Sequence, residues 1–285
     1  MARSISDVLI DLSEIGSQTD DDFNLARAAL LLASVSNPSV KLERYLNHIE
    51  KLVEETAERY KALLDAGADE NIETRLAALK HTLVDKNGYL GDHDNPDHIQ
   101  NADLIRVIDR GKGGAVCLSI LYTHICNTLG WLAYGISLPS YFAVMIEKDG
   151  RRLIFDPFEQ CHVLHAADLR RIVKRAMGQD AELSADFYEP VAKRDMIIKL
   201  QNLVKTAQIE REDYEGALNS VEAMRALAPK EYRLLLDAGV LLARTNHKTD
   251  ALEVLQDYIS QAPDARDRQQ AALLLQEIRH SLDEV

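Results

Sequence analysis

Two stretches near the C-terminus, DYEGALNSVEAMRALAP (213–229) and HKTDALEVLQDYISQAP (247–263), align without gaps. Ala217 and Ala251 stand 34 residues apart, as do Pro229 and Pro263. A fixed period of this length restricts the tail to stacked helical hairpins, because one hairpin cannot bury its own apolar face. The small Ala falls where two helices cross, and Pro falls where the second helix ends. Ala238 and Gly239 hold the small positions on the first helix of the second repeat. In the first repeat the same positions are Val204 and Lys205, so that repeat is degenerate. Val204, Ile209, Val221, Leu235, Leu242 and Leu255 are expected between the helices.

A 34-residue helix pair is the tetratricopeptide (TPR) unit. Two units and a further helix, DARDRQQAALLLQEIRHSL, are too few for a long solenoid. The tail is therefore expected to lean on the rest of the chain as one rigid body. The stretch before it, DAELSADFYEPVAKRD (180–195), contains Phe187 and Tyr188, which a flexible linker avoids. Both aromatics are expected to be buried at the junction.

The first ninety residues also read as helices. Asp20–Asp22 are placed to cap FNLARAALLLASVS, whose Leu25, Ala28, Ala29 and Leu32 share a face. Pro38 separates it from a second helix carrying Leu42, Tyr45, Leu46, Ile49 and Leu52, which Gly67 stops. NIETRLAALKHTLVDK reads as a third, ending near Asn87-Gly88. The polar loop that follows, DKNGYLGDHDNPDHI (85–99), fails the calcium-loop spacing: from Asp85 the sixth position is Leu90, where Gly is required. His93, Asp94 and His98 are read as turn and surface residues, not metal ligands.

The pattern changes between 101 and 160. NADLIRVIDRG reads as a short helix stopped by Gly111, and the glycines of GKGG (111–114) supply a turn. GGAVCLSILYTHICNTLGW follows as a buried helix ended by Gly130. LAYGISL, YFAVMIE and RLIFD are strands, and Asp149-Gly150 between the last two signals an antiparallel hairpin. The fold class is thus α+β and predominantly helical: a helical region over 1–95, an α+β core with a small antiparallel sheet over 96–180, and TPR-like helices over 181–285.

Net charge is −13, from 33 Lys+Arg against 46 Asp+Glu, so a phosphate backbone is repelled and nucleic acid is excluded as a partner. The basic stripe Arg170, Arg171, Lys174 and Arg175 reads as a solvated helix face, the alternative being a surface for an acidic partner. No apolar run reaches the length of a membrane span, and acids interrupt the opening MARSISDVLIDL, which is not a secretory signal. Three cysteines without a CxxC pair exclude a disulfide scaffold and a standard zinc module. A cytoplasmic protein with no membrane association, no metal and no cofactor is expected.

Taken in order, AALLLASVSNP, NADLIRVIDRGKGGAVCLSILYTHICNTLGW, LAYGISLPSYFAVMI, LIFDPF and the repeats resemble the bacterial SirB-type transglutaminase-like proteins with a TPR tail. The resemblance covers nearly the whole chain and implies a transglutaminase/papain-like core between N-terminal helices and TPR helices. In active enzymes of that kind, a Cys opens the buried helix, a His lies on the next strand and an Asp on the strand after. The His lowers the thiol pKa, the thiolate attacks an amide carbonyl, and the Asp orients the imidazole.

Carried onto this sequence, the resemblance puts Asp156 of FDPF in the Asp position and Tyr141 of LPSYF where His belongs. A phenol of pKa near 10 is a poor base at neutral pH. The Cys position falls on Ala115; Cys117 lies two residues on, about 200° around the helix, and reads as a buried apolar residue. Cys117, Tyr141 and Asp156 are therefore the candidate site, as a degenerate triad. His162 and His165 read as surface residues, and His124 lies too far along the helix to serve Cys117. The expected function is a non-catalytic pseudoenzyme that acts on a protein or peptide partner as an interaction or regulatory module. The alternative is a cysteine-dependent amide hydrolase or acyl transferase using Cys117 with Asp156.

Overall fold

The computed structural model describes residues 4–283. In chain order the helices are α1 (Ile5–Gly16), α2 (Leu25–Val35), α3 (Leu42–Asp65), α4 (Ile72–Lys80), α5 (Leu104–Arg110) and α6 (Ala115–Thr128). After them come α7 (Ala166–Met177), α8 (Lys193–Glu210), α9 (Tyr214–Leu227), α10 (Arg233–Arg244), α11 (Lys248–Gln261) and α12 (Ala265–Asp283). The strands are β1 (Leu90–Gly91), β2 (Lys112–Gly113), β3 (Leu132–Leu138), β4 (Tyr141–Lys148), β5 (Arg151–Asp156), β6 (His162–Val163) and β7 (Pro190–Val191). The described parts of Met1–Gln18, Ser34–Ser39 and Gln201–Val285 form one compact unit, and Thr19–Ala33 with Val40–Leu200 form the other.

The larger unit is built on an antiparallel sheet in the order β6-β5-β4-β3-β7. Asp149 (φ 52°) and Gly150 (φ 76°) make the β4–β5 turn, both left-handed as a two-residue hairpin with this twist requires. Pleating sends alternate side chains to opposite faces. Ile136, Leu138, Ala143, Met145 and Ile154 meet Leu169 and Val173 of α7 on one face. On the other face Phe155 lies against Tyr122 of α6, ring centroids 5.9 Å apart. Strand β4 is apolar without alternation because both its faces are covered.

Phe187 and Tyr188 sit in a short 3-10 turn and pack, partly exposed, on the α7 face of this sheet. They are not fully buried as expected. Their segment runs straight into β7, which adds an edge strand beside β3, so a hydrogen-bonded sheet edge occupies part of the stretch that read as a connection. Two other local expectations are corrected. The cap of α2 is Asn24, whose Oδ1 accepts from Arg27 N at 2.9 Å, while Asp22 accepts from Thr19 Oγ1 at 2.8 Å. Lys112-Gly113, read as turn, forms the parallel pair β1–β2 with Leu90-Gly91; only Gly111 (φ 67°) makes the turn.

In the smaller unit α9 to α12 stack in sequence, and α1 packs on α9. That packing is close enough that a Cβ on Gly16 would come within 2.4 Å of Leu227 O. Ala217 and Ala251, the small residues of the repeat, are fully buried. A Cβ on Gly239 would stand 2.6 Å from Leu255, so the second repeat needs its glycine. At the equivalent place Lys205 reaches out to Asp237, and Gln208 accepts from the buried Ser220 Oγ at 2.8 Å. Polar pairing thus replaces close packing in the degenerate repeat. Of the residues expected between helices, Val221 and Leu255 are buried fully and Val204 almost so, but Ile209 is 39% exposed. On α10 the face is turned by one residue, with Leu234 and Leu241 innermost and Leu235 and Leu242 partly covered.

Candidate functional site

Tyr141 opens β4 directly after Ser140, whose φ of 56° makes the tight β3–β4 turn, and Asp156 closes β5. The two are brought together: the Tyr141 hydroxyl donates to Asp156 Oδ2. The other carboxylate oxygen accepts from Phe158 N at 2.8 Å. Asp156 therefore has the backbone and phenol partners its place in the DPF turn suggests. Burial raises the Asp156 pKa, with the two hydrogen bonds working against that rise. Burial and the Asp156 bond together push the Tyr141 phenol well above its ordinary range. A proton held this firmly is not one a base can take up and return at neutral pH.

Cys117 is not part of this pair. Tyr141 shares the face of Ala143 and Met145, and Asp156 that of Ile154, so both belong with the α7 side of the sheet. Cys117 lies in the first turn of α6, which covers the opposite face. Its side chain is fully buried, and burial pushes its thiol pKa up, followed by the charge of Asp103. A helix N-terminus ordinarily lowers a thiol pKa, but desolvation of the thiolate outweighs that here. Ala115, the first residue of α6, is half-buried.

The surroundings of that helix start were not visible in the sequence. Gly113 and Gly91 are partners in the β1–β2 register, and a Cβ on Gly91 would stand 2.5 Å from Phe158 O. Asn101 O accepts from Gly114 N at 2.9 Å. Arg110 donates to the buried Asp92 and, at 3.0 Å, to Asn101 Oδ1, while Asn101 Nδ2 donates to Asn95 O at 2.6 Å. The Arg110 guanidinium beside Asp92 holds its carboxyl below the usual range. This network fixes the loop 92–101 against the first turn of α6. The glycines of the two short strands were its one sequence signal, since close backbone approach demands them.

The histidines and acids that invite a metal reading go separate ways. His93 lies against Phe158, centroids 4.6 Å apart, Asp94 pairs with Lys112, and His98 Nδ1 accepts from Gln100 N. Cys161 Sγ meets the Tyr122 hydroxyl at 3.4 Å, and His165 precedes α7 as its cap. Among the described residues no three of His, Cys, Asp and Glu converge to hold a metal ion. No helix among them is long and apolar enough to cross a membrane. On α7, Arg170, Arg171, Lys174 and Arg175 are exposed, with Arg171 bound to Asp168.

Comparison with known proteins agrees with this architecture. A UPF0162 protein of Xylella fastidiosa (strain Temecula1) is 23% identical over 254 residues, 88% of either chain. Protein SirB1 of Salmonella typhimurium is 24% identical over 255 residues, 87% of this chain and 91% of its own. Among solved structures, one of menin described as revealing the binding site for the Mixed Lineage Leukemia (MLL) protein aligns with 94% of this chain and 68% of its own. Its TM-score is 0.42 at 12% identity, too loose to carry an argument. Residues 204–276 match the tetratricopeptide repeat. Residues 43–202 match the transglutaminase-like superfamily, and the chain belongs to it.

Proposed function

We propose that this protein is a non-catalytic member of its superfamily, a pseudoenzyme that works as a protein-interaction or regulatory module through its core and its TPR helices. The observation that carries the reading is the Tyr141–Asp156 bond: the carboxylate that would orient an imidazole is engaged by a phenol instead. The buried Cys117 thiol, on the other side of the sheet, supports it. TPR helices are a repeat type built for binding along stacked faces, which favours a protein or peptide as partner. Nothing in the geometry favours a hydrolase or acyl transferase that pairs Cys117 with Asp156.

The test is complementation of a deletion strain in a native host. Cys117→Ala is expected to restore every phenotype the wild-type chain restores. Loss of complementation by a Cys117→Ala protein of unchanged melting temperature would favour the enzyme instead.

A further inference from the structure

At the opposite end of β3 from Tyr141, a cavity of about 480 Å³ opens between α6, the start of β3 and the first turn of α8. That volume suits a small molecule. Thr123 of α6 lines it, 1% exposed, and its Oγ1 has no hydrogen-bond partner. A buried hydroxyl left unpaired costs stability, so the site has an unfilled requirement for a polar group. One turn on, Asn127 uses its Oδ1 to accept from Ala133 N at 3.2 Å, which leaves its NH2 as a donor. Lys193 lines the same cavity, and its Nζ reaches the backbone carbonyl of Asp21 at 3.3 Å, not a carboxylate. Beside it His124 is kept neutral, its pKa lowered to about 4 by burial. Part of the remaining wall is apolar, with Trp131 and Met196 both buried.

We propose that this cavity binds a small free monocarboxylate, its head at Thr123, Asn127 and Lys193 and its hydrocarbon body against Trp131 and Met196. Three donors, one of them a cation, select an acceptor-rich anionic head. Asp20 and Asp21 also line the cavity, with Asp20 facing Arg194 at 3.7 Å. Lys193 is the single cation in the lining, so it can pair with one carboxylate, and a second on the ligand would lie unpaired beside the two acids. This site is separate from the Tyr141–Asp156 pair and does not depend on whether the chain is catalytic.

Trp131 is the only tryptophan in the chain, so its fluorescence reports on the cavity directly. The full-length protein is titrated with octanoate, octanamide, suberate and the peptide Gly-Gly-Phe. Expected is a saturable change with octanoate and at least tenfold weaker binding of octanamide and suberate. Lys193→Gln and Thr123→Val are each expected to weaken octanoate binding at least fivefold, with the circular dichroism of the wild type and a melting temperature no lower than its own. Lys193 lies at the surface start of a helix, so its variant keeps the test open if Thr123→Val fails to fold. No saturable change with octanoate at millimolar concentration, equal binding of the amide, or an unaltered Lys193→Gln would overturn the proposal. Tighter binding of Gly-Gly-Phe than of octanoate would overturn the assignment to a free small acid.

Discussion

Asp92 and Asp156 are each 2% exposed, one on the loop before α5 and the other at the end of β5, and they meet burial in opposite ways. Asp92 is given a cation, Arg110, and its pKa falls. Asp156 is given a neutral phenol and a backbone amide, and its pKa rises because burial outweighs both bonds. The first arrangement holds a loop in place. The second ties the start of β4 to the end of β5. The difference teaches that a buried carboxylate can be held by a cation or by neutral donors, and that its pKa moves in opposite directions in the two cases.

The largest effect expected from breaking this contrast is at Arg110. Arg110→Met strands a buried carboxylate and should cost about 3 kcal/mol in a urea melt, the low end for such pairs because Arg110 is 30% exposed. Asp156→Ala removes the acceptor of both Tyr141 and Phe158 and should cost about 1–3 kcal/mol. Tyr141→Phe, which leaves Asp156 its backbone bond, should cost about 1 kcal/mol. A penalty for Tyr141→Phe as large as that for Asp156→Ala would show that the phenol carries the whole site.

The two carboxylates should also respond to pH with opposite signs. Asp92, lowered in the folded protein, contributes stability above its unfolded pKa of about 3.9, and this is lost as pH falls through its folded value. Asp156, raised in the folded protein, contributes most below about pH 3.9 and loses that contribution as pH rises through its folded value. The stability of the wild type relative to Asp92→Asn should therefore climb as pH rises toward about 3.9, while that relative to Asp156→Asn should fall as pH rises above about 3.9. Parallel curves would remove the distinction.

Much of this was legible in the sequence, where the signals are local. The 34-residue period located the repeats, and Asp149-Gly150 located the hairpin. What escaped depends on residues that sequence spacing does not connect. Asp92 read as part of a polar loop and Asn101 and Arg110 as the two ends of a short helix, and only folding shows that they share one network. Strand β7 follows a charged stretch and has two residues, too short for any alternation to appear. Ile209 sits on the right helical period, but a stripe that ends with its helix does not say where cover ends. The packing of α1 on α9 joins residues about two hundred positions apart, and no periodic pattern could announce it.

The central claim, that the thiol at the helix start is structural, is tested most directly at Cys117. All three cysteines are buried in the folded chain, so iodoacetamide at neutral pH under native conditions should leave Cys117 unmodified by mass spectrometry, while the urea-unfolded chain is alkylated at all three. Selective native-state alkylation of Cys117, with an apparent pKa well below that of a free thiol, would contradict the account.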